Sequence, residues 1–156
     1  SLYVIPSDSM APTLARGDVL LVDKVGLRRG EAMPDVGDVV VFDQPPALRA
    51  LVGDSVSKSS QFVKRVVALP GDAATFEPRV PSDAPPLCRE PAPALAKALD
   101  QAARDRTTPV APNAVFVRGD CDAVSVDSRI WGDLDRRYLV GRPTYRFWPL
   151  SRAGPL

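Results

Sequence analysis

Ser7 and Ser9 flank Asp8 at the point where an apolar run, Leu2-Tyr3-Val4-Ile5, meets Pro6. Proline carries no N–H and cannot continue the interior of a paired strand, so the two serines fall where a strand gives way to a turn. Such a turn exposes hydroxyls beside backbone N–H groups, which suits a nucleophile, although Ser, Asp and Pro also build ordinary polar turns. A serine nucleophile needs a base, and the chain contains no histidine. Ser-His-Asp and Cys-His mechanisms therefore lose their proton carrier, and the commonest zinc sites lose a ligand. The remaining bases are a carboxylate, a tyrosine, the terminal amine, or a lysine whose burial lowers its pKa toward the working pH.

Of the four lysines, Lys24, Lys58 and Lys97 sit in polar or loop-like surroundings. Lys64 instead lies within Gln61-Phe62-Val63-Lys64-Arg65-Val66-Val67-Ala68-Leu69, a strand-like run closed by Pro70-Gly71-Asp72. Alternation puts Lys64 on the face of Phe62 and Val66, and Arg65 on the opposite, solvated one. An ammonium there either snorkels to water or loses its proton as burial disfavours the charged form. A third polar cluster, Gly119 to Gly132, holds Asp120, Ser125, Asp127 and Arg129. Asp120 or Asp127 pairs with Arg129 to stiffen this loop, leaving Ser125 to orient a neutral lysine amine. The loop lacks the ligand spacing of a calcium site, and neither a metal nor any other cofactor is expected.

The elements that must position these groups read as strands. Short runs of Val, Leu and Phe recur between Gly-Asp and Pro punctuation, the pattern of a mainly β domain. Gly17-Asp18 leads into Val19-Leu20-Leu21-Val22, and Val36-Gly37-Asp38 leads into Val39-Val40-Val41-Phe42, both suited to strands covered on both faces. Gly26 to Pro34 reads as a basic loop, and Ala47 to Gln61 as a polar, Ser-rich, mobile one. From Glu77 to Asn113 the composition turns to Pro, Ala and charge. Residues 77–113 are expected to be an insertion, with Ala94 to Arg106 a short helix carrying Leu95 and Leu99 on one side. Strand pattern resumes at Val115 and closes with the aromatic stretch Tyr145-Arg146-Phe147-Trp148.

Bulk properties limit the role. At 156 residues the chain suits a single domain over 1–156, and a net charge of +1 leaves no electrostatic footprint for nucleic acid. No run approaches the roughly 18 apolar residues of a membrane span. The chain opens without Met directly on an apolar strand, as expected of a catalytic piece whose N-terminal membrane anchor is absent. Cys88 and Cys121 are too few for a disulfide scaffold, and one bridge between them remains open.

Four blocks in one order resemble the type I signal peptidases, the Ser/Lys family S26. They are Ile5 to Leu14, Gly17-Asp18 with its strand, Lys64 to Asp72, and Gly119-Asp120 through Ser125, Asp127-Ser128-Arg129 and Trp131-Gly132, with Ser9 standing 55 residues before Lys64. The ending Val140 to Pro149 is similar to thylakoidal processing peptidases of chloroplasts and their cyanobacterial relatives. The resemblance implies a barrel-like catalytic domain of coiled antiparallel sheets that removes signal peptides from exported proteins. It implies Ser9 as nucleophile, Lys64 as general base and Ser125 as the residue orienting that base. Ser7 would join the Ser9 N–H in an oxyanion hole, and Asp127 and Arg129 would brace the loop. Tyr3, Ile5, Pro6, Met10, Leu14 and Val63 would line shallow pockets for the small side chains of an Ala-x-Ala site. The implied partners are signal peptides in extended conformation and a lipid surface, with no nucleic acid. The implied location is the thylakoid membrane facing the lumen, or a bacterial plasma membrane facing the periplasm. The family usually has Asn where this chain has Cys121, which bears on that loop's hydrogen bonding.

Two other classes fit parts of the pattern. A non-catalytic β-rich interaction module would leave Ser9 inert to acylating inhibitors. A self-cleaving Ser/Lys repressor-type protease would need an Ala-Gly-like cleavage segment and usually a DNA-binding domain, and neither is in this sequence.

Overall fold

Apolar runs separated by turns pair with one another through the whole chain, and the computed structural model describes residues 1–156. Eight strands are formed: β1 (Leu2–Val4), β2 (Val19–Asp23), β3 (Val39–Asp43), β4 (Gln61–Ala68), β5 (Ala114–Arg118), β6 (Leu134–Asp135), β7 (Leu139–Trp148) and β8 (Gly154–Pro155). All pairings are antiparallel, in the order β1-β2-β7-β3-β4-β5-β6 with β8 on β7. The mainly β class read from the sequence is the class observed.

The long strand β7 joins the two halves of the sheet. Its start pairs with β3 (Val41 opposite Gly141) and its remainder with β2 (Leu21 opposite Tyr145). Register shifts at both pairings let the sheet bend there, one of them beside Pro143, which has no N–H to offer a ladder. Gly141 is required at the crossing, because a Cβ would collide with the Asp23 carbonyl.

Two apolar cores lie on opposite sides of β3. Val40 and Phe42 join Val66, Val117, Trp131 and Leu134 in one, whereas Val41 joins Ile5, Met10, Leu14, Leu20 and Val63 in the other. Burial on both faces is why β3 reads as an unbroken apolar run. The same expectation fails for β2. Leu20 and Val22 are buried but Leu21 is 38% exposed, so β2 is covered on one face only. The outer face of the β1-β2-β7 edge carries Leu2, Val4, Phe147 and Trp148 in the open.

The helices also modify the reading. Residues 47–61 are not simply a polar loop, since α1 (Pro46–Val52) begins there with a proline in its first turn and buries Leu48. Seven residues followed by a Ser-rich tail gave too little periodicity to reveal it. The predicted helix in the Pro/Ala-rich region is α2 (Pro93–Asp105), within a residue of its expected bounds. Finally α3 (Ser128–Trp131) is a single turn, N-capped by the Asp127 carboxylate, which accepts the Arg129 N–H.

Candidate active site

The turn carrying Ser9 is fixed from below. Ile5, one residue past β1, donates its N–H to the Asp18 carbonyl at 2.9 Å and accepts the Gly17 N–H at 2.8 Å. Asp18 is itself fully buried, accepts the Ala15 N–H at 3.0 Å and is paired with Arg146 and Arg152. Residues 8–14 then form a tight turn, with Ala11 N–H bonded to the Asp8 carbonyl and Leu14 N–H to the Met10 carbonyl. This spacing drives Met10 and Leu14 into the core beside Ile5. All three are at most 1% exposed and support the turn from beneath; none of them lines the cleft that holds Ser9 and Lys64.

Above the turn, Ser7 Oγ donates to Ser9 Oγ at 3.2 Å and accepts the Ser9 N–H at 3.4 Å. Both are at the long end of hydrogen bonding, so a carbonyl oxygen accepting from these two donors displaces little.

Lys64 lies on β4 between Phe62 and Val66, opposite Val40 of β3, and is 5% exposed. It does not snorkel. Burial lowers its pKa to about 8, with Asp127 and Asp120 pulling upward and Arg129 pushing further down. Its amine makes no hydrogen bond to a protein group.

The loop behind Lys64 resolves which carboxylate holds Arg129. Arg129 Nε donates to Asp127 Oδ1 at 2.8 Å, and its Nη2 reaches the Asp122 and Ser125 carbonyls at 3.0 Å each. Asp120 faces elsewhere, gripping Arg65 through two bonds at 2.8 and 2.7 Å and accepting from the Thr13 hydroxyl at 2.6 Å. Arg65 is therefore ion-paired, not simply solvated. For Asp127, burial alone would raise the carboxyl, but the Arg129 guanidinium, the Ser125 hydroxyl and the Gly119 N–H hold it below its ordinary range. The Ser125 hydroxyl donates to Asp127 at 2.7 Å and accepts from the Gly119 N–H at 3.1 Å. Its proton is thus committed, and toward Lys64 it can act only as an acceptor. That polarity leaves the lone pair of a neutral amine unspent.

Loop and turn are locked together. The Cys121 N–H donates to the Ser9 carbonyl at 2.9 Å, and a Cβ on Gly119 would collide with Ser125 Oγ and the Ser9 carbonyl oxygen. The Cys121 side chain forms a disulfide with Cys88, their Cα atoms 4.7 Å apart, packed with Ala11 and Ala84. The contact to Ser9 uses the backbone, so cysteine can stand at this position without disturbing it. The bridge spans 33 residues, for which chain entropy gives on the order of 3 kcal/mol. Reducing it is expected to lower stability by about that amount and to slow any reaction at Ser9. Urea unfolding and peptide turnover, each with and without reductant, check this; identical curves would overturn it.

Ser9 and Lys64 open onto one cleft of about 480 Å³, together with Ser7, Tyr3, Pro6 and Val63. Tyr3 crosses to the start of β4, donating its hydroxyl to the Gln61 carbonyl at 2.7 Å, and burial raises its pKa to about 12. The same cleft is lined by residues that sequence reasoning did not assign to the site: Leu48, Leu51 and Val52 of α1, Leu95 and Ala98 of α2, Val126, and Ile130 of α3. A slightly larger hollow of about 510 Å³ beside Arg65 and Arg142 contains none of the candidate catalytic groups. A serine hydroxyl and a buried, easily neutralised amine in one apolar cleft are equipped for acyl transfer.

Comparison with known proteins identifies the family. The family model "Signal peptidase, peptidase S26" matches residues 1–148. A probable signal peptidase I-1 of Synechocystis sp. is 39% identical over 154 residues, 97% of this chain and 73% of that protein. Signal peptidase I of Leptolyngbya laminosa is 33% identical over 153 residues, 97% of this chain and 70% of that protein. The chloroplastic thylakoidal processing peptidase 1 of Arabidopsis thaliana is 33% identical over 96% of this chain, which spans 42% of the plant protein. The turn bearing Ser9, the buried Lys64 and the loop bonded to that turn all lie within the matched residues, and the chain belongs to the type I signal peptidases of family S26.

Proposed function

We propose that this signal peptidase cuts after small residues of the Ala-x-Ala type, using Ser9 as nucleophile and Lys64 as general base. The observation that carries the assignment is the burial of Lys64 in the cleft that Ser9 enters, with a pKa of about 8 and no hydrogen bond holding its proton. Ser9 Oγ attacks the scissile carbonyl carbon while Lys64 Nζ takes its proton. The resulting oxyanion accepts from the Ser9 N–H and the Ser7 hydroxyl, which otherwise satisfy each other weakly. Lys64 then protonates the leaving amine as the C–N bond breaks, leaving an acyl-enzyme on Ser9. A water attacks that ester with Lys64 again as base, releasing the signal peptide as a carboxylate and restoring Ser9. Ser125, which can only accept, would take a hydrogen bond from Lys64 once the neutral amine turns toward it and so orient the base, while Asp127 and Arg129 keep Ser125 in place.

Substrates are signal-peptide-bearing preproteins. The peptide lies extended along the cleft, because β1 is the outermost strand and has a free edge for backbone pairing. Tyr3, Pro6 and Val63 frame the small-residue pockets.

The enzyme is membrane-associated, and no helix here is long and apolar enough to cross a membrane. The exposed residues Leu2, Val4, Phe147, Trp148 and Leu150 support contact with a lipid surface, where aromatic side chains favour the headgroup region. The disulfide supports a catalytic domain on the oxidising, trans side, and the thylakoid lumen fits the plant and cyanobacterial relatives. Residues 1–156 act as one catalytic domain in which 77–113 is an insertion, since the flanking strands β4 and β5 pair directly with each other.

Cleavage of an Ala-x-Ala peptide, followed against pH, tests this reading. A lysine is neutral above its pKa, so turnover should rise with pH along one ionisation centred near 8. Cutting elsewhere than after the second Ala, or a rate flat from pH 6 to about 9.5, would refute it.

A further inference from the structure

The active-site cleft is larger than small-residue pockets require. A volume of about 480 Å³ falls in the range of roughly 300–1,000 Å³ that accommodates a whole drug-sized ligand, and two alanine methyls fill little of it. The far wall is made by three helices that carry none of the proposed catalytic groups. Leu48, Leu51 and Val52 come from α1, Leu95 and Ala98 from α2, and Ile130 from α3. Lys64 is the only charged side chain in the lining, so nothing there would pair with an acidic or basic residue. Leu51 is 55% exposed at the rim, an apolar surface left in water until something covers it.

The wall is held in place although it is thinly buried. No residue of α2 is fully buried, yet the helix leans on α3, and Arg106 at its end pairs with Asp133 at 2.8 Å and stacks over Phe116. The Cys88–Cys121 bridge ties the chain upstream of α2 to the loop bonded to Ser9.

We propose that α1 and α2 form an additional apolar subsite that takes one aliphatic side chain of the signal peptide, of Leu or Ile size, outside the Ala-x-Ala motif. The 77–113 segment thereby becomes a determinant of specificity through Leu95 and Ala98. This rests on the assignment of Ser9 and Lys64 as the reacting pair.

The test is kcat/KM for cutting after the second Ala of a constant Ala-x-Ala site, on peptides in which one residue, Leu or Ala, is moved one position at a time through an otherwise Gln flank. Wild type should favour Leu over Ala at one position, on the order of tenfold. Leu95→Ala enlarges the subsite and should reduce that ratio several-fold. Ala98→Phe projects into the cleft from an exposed position that the fold tolerates, and should turn the preference toward Ala. Wild-type cutting with no Leu preference at any position, or the wild-type ratio retained in both variants, would overturn the subsite and leave the Ser9–Lys64 assignment standing. No cutting of any Ala-x-Ala peptide would remove the assignment and the subsite together.

Discussion

Replacing Lys64 by Arg is expected to lower turnover about 10⁴-fold while peptide binding persists. The guanidinium keeps the positive charge and approximate length but does not deprotonate in any accessible range, so Ser9 loses the acceptor for its proton. Lys64 is 5% exposed and its pKa lies near 8, which makes the neutral amine available at modest cost in the native site. Ser9→Ala should be at least as damaging, because no other hydroxyl in the turn replaces an attacking group whose carbonyl is pinned by Cys121. Ser125→Ala should cost less, about 10- to 100-fold, since it loosens a base that is still present. Single-turnover kinetics with an Ala-x-Ala peptide, alongside binding measured separately, distinguish these effects. Near-normal turnover in Lys64→Arg at neutral pH would mean that the lysine is structural and that the Ser/Lys mechanism must be abandoned.

Asp127→Ala should destabilise the fold by about 3–5 kcal/mol, the usual cost of removing one partner from a buried ion pair. Its carboxylate is fully buried and receives bonds from Arg129, Ser125 and the Gly119 N–H. Deleting it leaves a guanidinium in the interior with only Asp122, at 3.3 Å, to balance it. The Ser125 hydroxyl and the Arg129 N–H also lose their acceptor, and an unmet buried donor is penalised more than a satisfied one is rewarded. Denaturant unfolding at unchanged m-value measures the loss. A change below about 1 kcal/mol, the range of an exposed ion pair, would show that the network does not hold the loop. Asp127→Asn, which keeps the shape, adds a sign test. The Asp127 charge raises the Lys64 pKa, so its removal should move the midpoint of the pH–rate profile downward. An upward shift would contradict the proximity on which the mechanism depends.

The apolar face around Lys64 shows how far local pattern reaches. Alternation along Phe62-Val63-Lys64-Arg65-Val66 identifies the lysine's face without reference to any other strand, because side-chain direction in a strand depends only on position. The absence of histidine narrows the chemistry by composition alone. The helix near Leu95 and Leu99 was readable because four residues carry a side chain once around the turn. By contrast, α1 is not legible in the sequence, because about two turns of helix followed by serines leave almost no period to detect.

Residue types and short-range spacing give the mainly β class and Lys64 as the candidate base, and the resemblance of the four ordered blocks implies Ser9 as its nucleophile. The tertiary structure decided matters that depend on which distant segments become neighbours. Arg129 takes Asp127 and not Asp120 because β4 brings Arg65, 55 residues away, to claim Asp120 first. Ile5, Met10 and Leu14 join the core because the Ser9 turn winds their side chains inward onto β3 and β7. Cys88 reaches Cys121, and α2 reaches the cleft, because β4 and β5 lie side by side and return the long segment between them to the site. Periodicity reports a residue's own face; only the sheet order and loop closure fix what that face meets.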